Sequence, residues 1–185
     1  MDLCYSKNLR ELPDLSTAKK LKALLLIECS SLVKLTSSIG NVVNLETLHL
    51  GACTNLVELP SNIGNATNLL WLNLSGCSSL VKLPYSIGNA INIQMLHLDM
   101  CTCLVELPSS IGNLHKLTEL TLRGCSKLEV LPTKINLKSL DELHLTDCLL
   151  LKSFPEISTN IKHLFLNGTA IEEVPLSIKP CGKYN

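Results

Sequence analysis

LETLHLGACTNLVELPSNIGN runs from Leu45 to Asn65, and LLWLNLSGCSSLVKLPYSIGN runs from Leu69 to Asn89. The two stretches share one frame, Leu-x-x-Leu-x-Leu-x-x-Cys-x-x-Leu-x-x-Leu-Pro-x-x-Ile-Gly-Asn, offset by 24 residues. The frame continues in IQMLHLDMCTCLVELPSSIGN from Ile93 and in LTELTLRGCSKLEVLPTKIN from Leu117. Cysteines mark its passage. Cys29, Cys53, Cys77, Cys101 and Cys125 are spaced by 24, and Cys148 follows after 23. A fixed period of this length belongs to a solenoid, in which each repeat forms one coil and neighbouring coils bury one another's apolar residues.

Each part of the frame has a physical task. Leu48-x-Leu50 and its equivalents alternate, so the leucines point inward and the residue between them points out, as a strand requires. Stacked coils pair these strands into a parallel sheet. Leu56 and Leu59 fill the coil further round. Pro60, Pro84, Pro108, Pro132 and Pro155 then interrupt regular hydrogen bonding and turn the chain toward the convex side. Ile39, Ile63, Ile87 and Ile111 fill the core from there, and the glycine after each is expected to permit a tight turn. The predicted fold is an α/β-type solenoid, a leucine-rich-repeat horseshoe segment. Its parallel β-sheet lies on the concave face, and its convex side is irregular or briefly helical.

Composition agrees with thin, repeated layers. Hydrophobic residues make up 46% of the 185-residue chain, aromatics 3% and charged residues 17%, against about 25% charged in an average domain. Sixteen Lys plus Arg balance sixteen Asp plus Glu. No basic block is present to neutralise phosphates, which argues against a nucleic-acid partner. No apolar run approaches the roughly 18 residues of a membrane span, and the first residues, MDLCYSKNLR, lack the apolar core of a secretory signal. The chain is therefore expected in the cytoplasm or nucleocytoplasm, with reduced thiols. In that compartment the sequons at Asn65, Asn73 and Asn167 are coincidental.

Departures from the frame gather toward the ends. Met1-Asp2-Leu3 already reads as a strand, with Ser6 at the cysteine position. Thr36 replaces proline in the second coil. After Cys148 the coils shorten, and Thr169 replaces cysteine. Residues 1–178 are read as one repeat domain of about eight coils of 21 to 24 residues, and 179–185 as a non-repeat tail. Neither end carries a recognisable polar cap, so the chain reads as a segment of a longer array or as a truncated product of one.

Nine cysteines invite a metal or redox reading. Zinc sites need closely paired ligands, and only Cys101-x-Cys103 comes near. Ladder cysteines about 4.8 Å apart exceed the Cβ separation of ~3.8 Å that a disulfide prefers. The six frame cysteines are therefore read as buried thiols that donate weak S–H bonds toward the backbone of the bend. No metal or other cofactor is expected.

The LxxLxLxxCxxLxxLPxxIGN frame, together with PEISTNIKHLFLNGTAIEEVP near the C-terminus, resembles the repeat region of plant TIR–nucleotide-binding–LRR immune receptors, most closely those of the downy-mildew-recognition group. The resemblance runs from Met1 to Ile178. It implies a cytosolic receptor whose repeats sense a pathogen effector or a guarded host protein, and which contact the receptor's own nucleotide-binding domain. The phosphate loop and the TIR domain of that family are not in this sequence, so signalling by that route is not expected of this chain alone. A general cytosolic scaffold of the plant Ras-group LRR type shares the LPxxIGN wording, but normally has Asn where this chain has cysteine. A truncated product without autonomous function is the third reading.

A partner would meet the outward rows of the concave sheet. The central row includes His49, Asn73, His97, Thr121, His144 and Phe165, and none of these positions is needed for the core. Aromatic residues and Arg carry most binding energy in protein interfaces. The contact set read from these rows is Trp71, Met95, His97, Asp99, Arg123 and Phe165, with a solvated face bearing incidental aromatics as the alternative. His49, His97 and His144 occupy alternate coils, about 10 Å apart at ~4.8 Å per coil, too far for one metal. Ser75, His97 and Asp99 match a hydrolase triad in residue type, but an open sheet supplies no oxyanion hole and no exclusion of water. The chain is read as a recognition module, not an enzyme.

Overall fold

The computed structural model describes residues 1–132, 137–154 and 161–174. Seven three-residue strands follow one another: β1 (Ala23–Leu25), β2 (Thr47–His49), β3 (Trp71–Asn73), β4 (Met95–His97), β5 (Glu119–Thr121), β6 (Glu142–His144) and β7 (His163–Phe165). They pair in parallel and in sequence order, with no crossover. The register follows the sequence frame: Leu24 lies beside Leu48, Leu48 beside Leu72, and Leu72 beside Leu96. Beyond β1 the pairing extends through a bridge between Asp2 and Leu25, where the strand-like Met1-Asp2-Leu3 was expected. The 178/179 domain boundary and Pro155 lie outside the described residues.

The core is one continuous stack of aliphatic side chains. Leu48, Leu50, Leu56, Ile63 and their equivalents in neighbouring coils are fully buried. Each is worth roughly 1.5–3 kcal/mol of burial, and none could be covered within a single coil. Toward β7 the covering thins, and Leu164 and Leu166 are only partly buried.

On the side opposite the sheet, four short 3-10 helices occupy Ser37–Asn41, Ile63–Asn65, Tyr85–Asn89 and Ser109–Asn113. The proline expectation is met directly: Pro84 and Pro108 precede two of these helices in extended conformation. The carbonyls of Pro60, Pro84 and Pro108 accept the Ile63, Ile87 and Ile111 N–H groups. Thr36 performs the same task in its coil and adds a side-chain acceptor for the Ser38 N–H.

The glycine expectation needs correction. Among the described residues, the positive-φ glycines are Gly76, Gly124 and Gly168, none of which follows a frame isoleucine. Gly40, Gly64 and Gly88 have ordinary φ but no room for a side chain. A Cβ on Gly40 would lie 2.6 Å from the Asn62 carbonyl oxygen, and those on Gly64 and Gly88 would overlap the Ser86 and Ser110 carbonyls more severely. These glycines let successive helical turns stack closely; they do not bend the chain.

The six frame cysteines are all fully buried, as read from the sequence. Each Sγ donates to a leucine carbonyl one coil back, at 3.1–3.2 Å, for example Cys53 to Leu26 and Cys101 to Leu74. The thiol row thus links adjacent coils just past the strands. Burial pushes the Cys53 pKa up to about 12 and the Cys148 pKa to about 11, and those of Cys77, Cys101 and Cys125 are also raised. Thr169, at the equivalent position, instead donates within its own coil to Leu166.

Candidate partner-binding face

Parallel register places the outward residues of β1 to β7 in rows, and those rows hold most of the contact set. Trp71 stands between two histidines. Its ring meets His49 edge-on at 5.2 Å between centroids and His97 at 6.0 Å, and its indole N–H reaches His97 Nδ1 at 3.4 Å. Trp71 is paired in register with Met95, so Trp71, Met95 and His97 form one contiguous, half-buried patch. Burial, together with nearby His97, lowers the His49 pKa.

A second cluster lies further along the sheet. His144 stacks on Phe165 with ring centroids 4.0 Å apart and planes within 9°. Its Nε2 lies 2.5 Å from Glu142 Oε1. His97 Nε2 similarly sits 3.1 Å from Glu119 Oε1, and Glu119 and Glu142 are register neighbours. Phe165 therefore belongs with His144 and Glu142, one coil beyond Arg123, and not with the Trp71 patch. Neither residue type nor row order could reveal that grouping, because it depends on the directions of the rings.

Several outward positions do more structural work than the sequence suggested. Asn73 and Thr121 are only 9% and 5% exposed. Asn73 Oδ1 accepts the Ser75 N–H at 2.9 Å, His49 Nδ1 accepts the Gly51 N–H at 3.1 Å, and Asp99 Oδ1 accepts the Arg123 N–H at 2.8 Å. Asp99 is thus committed to holding the next coil, whereas the Arg123 side chain is exposed. These bonds also leave Ser75, His97 and Asp99 unconnected to one another. On another row, Asn44, Asn68 and Asn92 each donate one coil back, to Lys19, Val43 and Thr67 carbonyls. Sequence reasoning passed over that ladder, although its 24-residue spacing was visible.

No protein-family model matches the chain. The Arabidopsis thaliana protein SUPPRESSOR OF npr1-1, CONSTITUTIVE 1 is 50% identical over 175 residues, which is 95% of this chain and 12% of that protein. Probable disease resistance protein RPP1, also from Arabidopsis thaliana, is 77% identical over 44 residues, 24% of this chain and 4% of that protein. These relatives are plant TIR–nucleotide-binding–LRR disease-resistance proteins, and the chain is a leucine-rich-repeat segment similar to their repeat region.

The segment thus spans a small part of these curated relatives. Among solved structures it resembles a Leptospira interrogans LRR protein, at 25% identity and TM-score 0.56, covering 96% of this chain and 57% of the other. It also resembles the leucine-rich repeat domain of the type III effector XopL, at 24% identity and TM-score 0.65, covering 84% and 57%. These likenesses concern the fold. Among the described residues of the segment, no helix is long and apolar enough to cross a membrane.

Proposed function

We propose that this segment senses a protein, either a pathogen effector or a guarded host protein, through the concave face of an immune receptor that acts in the cytoplasm. The observation that supports this most is Trp71, the chain's single tryptophan. It stands half-exposed beside Met95 on the concave face, steadied by His49 and His97 on either side. A rigid aromatic anchor loses little freedom on binding, and such anchors carry most interface energy. Arg123 supplies an exposed cation two coils away, and Phe165 with His144 a further aromatic plate. Met95 and His97 extend the first patch, while Asp99 contributes through the backbone that carries Arg123.

The reading is of a binding module. His97 Nδ1 accepts from Trp71 and Asp99 Oδ1 accepts from the Arg123 N–H, so neither is aligned on Ser75, and the face is open to water. Contact with the receptor's own nucleotide-binding domain belongs to the same proposal.

The test replaces Trp71 and Arg123 by Ala, singly and together, in a receptor carrying this segment. The double variant is expected to lose at least about tenfold in partner affinity, the scale of roughly 1.4 kcal/mol. The circular dichroism of the isolated chain should remain unchanged. Full recognition by a folded double variant would remove the proposal.

A further inference from the structure

On the flank of the solenoid, between the buried Leu32 and Leu35 and their equivalents, each coil exposes two consecutive residues. The first of each pair forms an apolar row: Val33, Val57, Val81 and Val105, between 37% and 49% exposed. Backbone bonds run along it from coil to coil, with Val57 donating to Val33, Val81 to Val57 and Val105 to Val81. The second forms a charged row that alternates in sign: Lys34, Glu58, Lys82 and Glu106.

Opposite charges on adjacent coils could pair within the chain, as Lys22 does with Glu46 and Lys162 with Asp141, both at 2.8 Å. The flank charges do not. Lys34 and Glu58 are even bridged through their backbones. Among the described residues, however, none of the four side chains closes an ion pair or hydrogen bond. Four unpaired charges beside four exposed valines form a ribbon with its recognition groups still free.

The order of those groups is self-complementary. Leu9 donates to Ser6 as Leu32 does to Cys29, so Arg10 occupies the valine row one coil before Val33. Glu129, which donates to the Val105 carbonyl, occupies it one coil after. Consider a two-fold axis that crosses the ribbon between the coils of Glu58 and Lys82. Val33 then faces Val105 of a second copy, and Val57 faces its Val81. Lys34 meets Glu106, Glu58 meets Lys82, and Arg10 meets Glu129 at both ends, where Glu11 and Val130 of the same end coils form the solvent-facing rim.

We propose that this flank is a homodimer surface, closed by a second, antiparallel copy of the same chain. The contact is isologous and therefore stops at two copies. Its register is also guarded against error. A slide of one coil sets Glu58 against itself and Lys34 against Lys82, or Lys82 against itself and Glu58 against Glu106. A slide of two coils restores opposite charges but shortens the overlap from six coils to four, leaving two exposed valines of each copy uncovered or facing a charge. Such like-charge and unpaired-charge penalties are how an interface rejects alternatives.

The ribbon spans six coils, about 25 Å at ~4.8 Å per coil, and is narrow. It belongs with weak contacts that bury under about 1,200 Å², and salt weakens its charge pairs. The experiment is therefore sedimentation velocity of the complete chain at high protein concentration and low ionic strength. Three proteins are compared: the wild type, Lys34→Glu/Lys82→Glu, and Glu58→Lys/Glu106→Lys. The wild type should dimerise, and each variant alone should be monomeric. An equimolar mixture of the two variants should recover a one-to-one dimer, at least tenfold tighter than either variant with itself. A wild type that stays monomeric overturns the proposal. So does a variant that still dimerises alone, or a mixture that does not associate.

Discussion

The bend that follows each strand and the helical turn on the opposite side both carry glycine, but on different terms. In the bend, the residue before the cysteine position is left-handed in every described coil. It is Tyr5, Glu28, Ala52, Met100 or Asp147 at φ 56–62°, and Gly76, Gly124 or Gly168 at φ 71–77°. In the helical turn, φ is ordinary, yet Gly40, Gly64 and Gly88 lie against the carbonyl oxygen of the next coil. The bend asks for an angle that non-glycine residues can adopt at a cost of roughly 1–2 kcal/mol. The turn asks for space that no side chain can yield. Repetition along the chain follows the second demand: the Ile-Gly-Asn glycine recurs at 40, 64, 88 and 112, while the bend accepts five other residue types.

The bend has a further property that the turn lacks, because it delivers a thiol into the core in six coils. This gives the largest expected effect. Unfolded cysteines titrate near 9.0, whereas burial raises Cys53 to about 12, Cys148 to about 11 and the central three further. Below pH 9 both states hold these protons, and the contribution to stability is constant. Above it the unfolded chain releases protons that the folded chain retains, so stability falls as pH rises, by about 1.4 kcal/mol per pH unit for each thiol. Denaturant titrations from pH 8 to pH 10 should show a steep loss beginning near pH 9. A Cys77→Ala/Cys101→Ala/Cys125→Ala variant should be less stable at pH 8 but show a shallower slope. An unchanged slope would detach the pH effect from the bend.

The comparison is sharpened next on the turn itself. Gly64→Ala sets a Cβ onto the Ser86 carbonyl oxygen, a backbone atom that can move only by parting two coils. Overpacking of this kind costs up to about 3 kcal/mol. Gly76→Ala, in the bend, meets its nearest neighbours at 3.2 and 3.3 Å and adds mainly the left-handed penalty of ~1 kcal/mol. Urea unfolding followed by circular dichroism separates the two. Equal losses, or a larger loss at Gly76, would break the distinction between an angle and a space.

Much of this was legible in the sequence, because a period converts position into register. The strands, the inward leucines, the buried thiol row and the outward rows follow from one counted frame. What the frame could not convey is how adjacent coils touch. The tight stacking at Gly64, the Asn44–Asn68–Asn92 ladder and the commitment of Asp99 to the Arg123 backbone are contacts between copies of the repeat. A residue read within its own coil gives no sign of them. The candidate residues were legible as outward rows, and their division into a Trp71 patch and a His144–Phe165 patch was not. Ring packing depends on side-chain directions that spacing does not contain.

The smallest expected effect tests the bend from the opposite side. Ala52 carries φ 58° without glycine's freedom, so Ala52→Gly should relieve strain. Removing the Cβ recovers roughly 1–2 kcal/mol of left-handed cost but returns about 0.5–1 kcal/mol as extra freedom of the unfolded chain. A net gain of about 0.5 kcal/mol is expected in the same urea assay, with the cooperativity of unfolding unchanged. The sign carries the argument. Gly76→Ala and Ala52→Gly exchange the same two residues at equivalent positions of neighbouring coils, so their effects should be opposite. If Ala52→Gly destabilises instead, the bend must depend on the Ala52 side chain for packing. Gly76 is the place to look for that dependence, since a Cβ added there would lie 3.6 Å from the Ala52 Cβ of the neighbouring coil.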